Sequence, residues 1–190
     1  GLKATDQWIE AMRRLGGTVA AEIAWERSRL VDLLCDMQQY LYGKRVSLWG
    51  DPDQLVSLTG FCIDMGMQPL HVVTGSPSKS FASRLEAVIG GRIPAPKVAV
   101  GPTADMMRLH QWIKQEKPDL LIGGTHGKYI ARDEGIPLIR HGFPILDRIG
   151  HQYFPTAGYT GAIRLVEQIL NAVMERQDAT CPEERFELIM

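Results

Sequence analysis

The spacing of apolar residues changes character near residue 44. Before it, Trp8, Ile9, Met12 and Leu15 recur at helical intervals, with Thr5 or Asp6 as a cap and Gly16-Gly17 as a stop. This predicts a helix over 4–15. A second, longer helix is expected over 18–42, ending at Gly43, so that residues 1–43 form a helical prelude. Beyond it, short apolar runs at 45–49, 70–73, 97–100, 120–122 and 137–139 alternate with helical stretches at 52–65, 79–89, 103–117, 128–132 and 160–176. Strands without polar alternation suit a parallel sheet covered on both faces. The pattern therefore predicts an α/β domain over 44–176, a doubly wound, mostly parallel, Rossmann-like sheet of four to five strands. The charged stretch 177–190 reads as a surface tail.

In such a sheet ligands bind beyond the carboxyl ends of the strands. The turn after the first strand reads Gly50-Asp-Pro-Asp53, not GxGxxG, which argues against a dinucleotide. The turn Gly123-Gly-Thr-His-Gly-Lys128 resembles a phosphate loop, but it is one residue short and its lysine precedes Tyr129 rather than Ser or Thr. A tight turn using glycine conformations accounts for it better. His126, His141 and His151 fall in or near these loops, yet no nucleophile or carboxylate is spaced around them as a catalytic motif requires.

The long second helix carries the most informative local feature. Leu30, Leu34, Met37 and Leu41 form one stripe, the expected core face, while Asp32 and Asp36 lie one turn apart on the opposite face, with Trp25 pointing nearly the same way. Two like charges at this spacing repel mildly. A hard cation or a cationic partner between them removes the conflict. So does a plain acidic helix face in which Arg29 relieves the repulsion.

Composition narrows the remaining classes. The net charge of -1 and the absence of a basic block give no electrostatic footing for nucleic acid or an anionic membrane, and no apolar run is long enough to span a bilayer. Three widely spaced cysteines, Cys35, Cys62 and Cys181, favour a reducing cytoplasmic setting over a disulfide framework. Without a CxxC pair, nothing reads as a self-contained zinc or iron–sulfur site.

Several strings taken together resemble the beta-type subunit of nitrogenase component 1. They are Gly1-Leu-Lys-Ala-Thr-Asp6, Glu26-Arg-Ser-Arg-Leu-Val-Asp32, Leu48-Trp-Gly-Asp-Pro-Asp53, Lys117-Pro-Asp119, Gly127-Lys128, Pro137-Leu-Ile-Arg140 and, most specifically, Gly142-Phe-Pro-Ile-Leu-Asp-Arg148 followed by Gly158-Tyr-Thr-Gly161. The resemblance runs from Gly1 to about Arg176 and implies the last of three α/β domains of that subunit. It implies a cytoplasmic complex of two alpha-type and two beta-type subunits, reduced by an ATP-dependent iron protein, that reduces dinitrogen. An iron–sulfur P-cluster and a catalytic metal cofactor belong to the full complex, but their ligands lie outside this segment, so it is expected to hold neither and to be inactive alone. The alpha-type histidine that holds the catalytic cofactor precedes a similar Gly-Tyr motif. Here nine residues separate Arg148 from Gly158, a beta-type loop, and His151 is not given that role. The resemblance does assign Asp32 and Asp36 as metal ligands at a contact between two beta-type subunits, for calcium or iron, with further ligands from the other subunit. A compact 75–100 segment and a short 128–137 connection depart from the molybdenum-enzyme pattern. They keep open an alternative nitrogenase, a divergent homologue or a scaffold subunit for cofactor assembly; fold analogy alone adds a small-anion-binding α/β module that uses the strand-end loops.

Overall fold

A computed structural model of the chain describes residues 1–182. Five strands form one all-parallel sheet in the order β3-β2-β1-β4-β5: β1 (Arg45–Trp49), β2 (Gln68–Thr74), β3 (Lys97–Val100), β4 (Leu120–Gly123) and β5 (Leu138–Arg140). Seven α-helices accompany them: α1 (Leu2–Arg14), α2 (Ala21–Leu41), α3 (Pro52–Asp64), α4 (Phe81–Ile89), α5 (Met106–Gln115), α6 (Lys128–Glu134) and α7 (Gly158–Thr180). The predicted α/β class and helical prelude are both present, with element ends moved by a few residues. The last helix runs on to Thr180 because nothing from Arg176 to Thr180 opposes helix; Pro182, which cannot continue it, follows. The expected tail thus begins later, and its 183–190 part lies outside the described residues.

Alternation along the strands sorts the core into two layers. Val46, Leu48, Val72, Leu120, Ile122 and Ile139 face a cluster built with α2, α3, α4 and α7. Trp49, Val73, Ala99 and Leu121 face a second cluster with Leu109 and Ile113 of α5 and Ile130 of α6. The inner strands β1, β2 and β4 bury side chains on both faces, whereas the edge strands β3 and β5 bury one residue each. In β2, Pro69 pairs with Val46 and the next pair is Ser47 with His71, so Leu70 is skipped. This irregularity admits a proline, which has no N–H for the ladder, into an inner strand.

The prelude is fastened by polar contacts as well as by packing. Asp6 was expected as a cap; instead α1 begins at Leu2, and the carboxylate of Asp6 accepts hydrogen bonds from Arg27 of α2 (2.9 and 3.0 Å) and from the Tyr159 hydroxyl of α7 (2.5 Å). Burial alone would raise the Asp6 carboxyl, but the bonds from Arg27 and Tyr159 outweigh it and hold the group below its ordinary value. Tertiary pairing here overrides the local capping signal.

A buried polar pair sits in the middle of the sheet. Ser47 Oγ and His71 Nδ1, on adjacent strands, are 2.7 Å apart, and the His71 ring stacks on Trp112 of α5 with centroids 5.8 Å apart. His71 is fully buried, its Nε2 has no partner among the described residues, and burial pushes its pKa down to about 4. The unfolded chain therefore takes up a proton near pH 6.5 that the folded core refuses until about pH 4. The gap corresponds to roughly 3 kcal/mol, present above pH 6.5 and lost as the pH falls toward 4. His141, also pushed to about 4 by burial, adds a second proton over the same window. Denaturant midpoints between pH 7 and pH 4.5 are expected to fall with the slope of two protons in the native protein and of one in His71→Gln; an unchanged slope in the variant contradicts this account.

Candidate functional site

Strand order reverses beside β1, so the crevice between the ends of β1 and β4 is where this topology ordinarily takes a ligand. Here the crevice is filled by the protein itself. The indole of Trp49, the last residue of β1, lies against Gly123 and Gly127, and a Cβ at either glycine would run into its ring. Trp49 is buried, and its Nε1–H has no acceptor among the described residues. Glycine at 127 is thus required by close approach to an aromatic ring rather than by a phosphate.

The turn between β4 and α6 is closed from its other side too. The Thr125 amide donates to the Pro144 carbonyl (3.2 Å), and Thr125 Oγ1 donates to Asp147 (3.0 Å) while accepting from the Leu146 amide (2.7 Å). Of the donors an anion would recruit here, the Thr125 amide and hydroxyl are already engaged within the protein. This agrees with the tight-turn reading and tells against the small-anion alternative.

These bonds belong to a network that orders the loop after β5. Arg140, the last residue of β5, grips the Asp147 carboxylate through Nε (3.1 Å) and Nη2 (2.7 Å), and both side chains are largely buried. Hydrogen bonds from Arg140, opposed by burial and supported by Thr125 and Arg148, hold the Asp147 carboxyl far below the usual carboxylate range. Gly142 lets the chain turn between them: its φ is 90°, and a Cβ there would come within 2.6 Å of Gln54 Oε1. Sequence reasoning passed over this network, although Arg140 and Asp147 stand in two of the strings that carried the resemblance. The signal available was an arginine and an aspartate flanking a Gly-x-Pro turn.

The three loop histidines are not brought together as a catalytic group. His126 is exposed; His141 and His151 are partly buried near one another, and His151 Nε2 has no partner among the described residues. Cys35 is exposed on α2, Cys62 is buried in α3 with its thiol pushed up to about 12 by burial, and Cys181 follows α7. Among the described residues no three His, Cys, Asp or Glu side chains converge as a metal site, and no helix is long and apolar enough to cross a membrane.

Asp32 and Asp36 stand exposed on α2, on the side away from buried Leu30 and Leu41. Arg29 does not pair with them; its guanidinium lies over Trp25, 4.7 Å from the ring centroid, and Trp25 is itself 61% exposed. The suggested internal relief of the acidic pair is therefore absent among the described residues. Two exposed carboxylates supply only part of the six to eight oxygens a calcium ion takes. Both lie on the face of α2 away from the core of this domain.

Comparison with known proteins decides the family. The sequence model described as Nitrogenase component 1 type Oxidoreductase matches residues 1–174. The chain belongs to this family. It is 48% identical to the nitrogenase molybdenum-iron protein beta chain of Clostridium pasteurianum over 100% of its own length and 41% of that chain, and 39% identical to the same-named chain of Frankia alni over 99% and 36%. It superposes on a solved structure of nitrogenase Cp1 at pH 6.5 with a TM-score of 0.94 at 47% identity, covering 100% of this chain and 42% of the other. A chain from nitrogenase Cp1 at pH 5 matches at 14% identity with a TM-score of 0.58, a likeness of fold alone. The chain thus spans about two fifths of the length of these relatives. The departures noted at 75–100 and 128–137 do not prevent a match along the whole chain.

If the Arg140–Asp147–Thr125 network orders this family member's loop, Asp147→Ala should lower stability by about 2–3 kcal/mol, the cost of losing hydrogen bonds to a charged group. Amide exchange should rise selectively over residues 141–157. Equal exchange in the variant and the native protein would show that the network does not order the loop.

Proposed function

We propose that this domain is the C-terminal part of a beta-type subunit of nitrogenase component 1, where it supports subunit assembly and electron transfer for ATP-dependent reduction of dinitrogen. The observation that carries the reading is similarity along the whole chain to molybdenum-iron protein beta chains, joined to a near-complete superposition on nitrogenase Cp1. On this reading the partners are an alpha-type subunit, a second beta-type subunit and an ATP-dependent iron protein, in the cytoplasm. The iron–sulfur cluster and the catalytic metal cofactor supply the redox chemistry when bound, through ligands outside these residues.

Residues 1–43 dock on the α/β body of residues 44–176 and present the outer face of α2 to the second beta-type subunit. There Asp32 and Asp36 contribute carboxylate oxygens to a calcium or iron ion shared by the two subunits. Their exposure, their mutual repulsion and the engagement of Arg29 with Trp25 all support a cationic occupant from outside the domain. The relatives named above are beta chains of the reductase, which favours that role over a scaffold for cofactor assembly.

The test uses the full-length subunit produced with its alpha-type partner and purified anaerobically. The native complex is expected to contain iron and sulfide and to reduce substrate with the iron protein. The double variant Asp32→Asn, Asp36→Asn should keep its clusters, lose the shared calcium or iron, and dissociate at lower salt. Unchanged metal content and tetramer stability would remove these two residues from the assignment; a complex without iron and sulfide would remove the reductase reading itself.

A further inference from the structure

We draw no further inference here: the strongest candidate, the cluster in which His71, Ser47 and Trp112 are buried between the sheet and α5, rests on the depressed pKa of His71 alone and adds nothing to the pH dependence already derived for the fold.

Discussion

The indole of Trp49 against the bare backbones of Gly123 and Gly127 is the contact on which the carboxyl end of the sheet depends. The ring ends β1, crosses to β4 and leaves no room for a Cβ at either glycine, so the two central strands finish in one packed unit. Its N–H lacks an acceptor among the described residues, a cost on the order of 1–3 kcal/mol. The packing must supply that much before it stabilises anything. In return the crevice that a doubly wound fold opens at its switch point is occupied by protein.

The remaining features divide around that plug. At the carboxyl end of the sheet, charges are paired internally: Arg140 with Asp147, Thr125 with both Asp147 and Leu146. On the outer face of α2 they are left open, since Asp32 and Asp36 form no ion pair among the described residues and Arg29 is turned to Trp25. One region has its polar groups satisfied and its apolar groups exposed; the other exposes carboxylates beside an uncovered tryptophan. A component of a larger assembly is expected to show such surfaces, because each interface follows its own chemistry.

The hydrophobic pattern foretold the sheet well because a strand buried on both faces leaves an unbroken apolar run, as at Leu120 to Ile122. It placed β2 too narrowly, at 70–73 against the observed Gln68–Thr74, since the skipped residue that admits Pro69 leaves no trace in sequence. Asp6 was misread for a related reason. An aspartate near a helix start looks like a cap, whereas its partners Arg27 and Tyr159 are distant in sequence. Asp32 and Asp36 were legible as an exposed acidic pair from helical spacing alone; a role as metal ligands was not, because no further His, Cys, Asp or Glu joins them among the described residues. The Trp49 plug was invisible for lack of a motif, as no sequence rule connects a strand-end tryptophan to glycines more than seventy positions away.

The bond from Tyr159 to Asp6 joins the first helix to the last across 153 positions of sequence. Chain closure over such a distance is entropically costly and is rewarded only after the intervening sheet has formed. A ribosome delivers α1 and α2 long before α7, so the two leading helices must wait, with Arg27 and Asp6 in place but their third partner unmade. Completion of the domain is then registered at its beginning. The prelude locks only when synthesis has passed Tyr159, which makes this bond a marker of a finished domain.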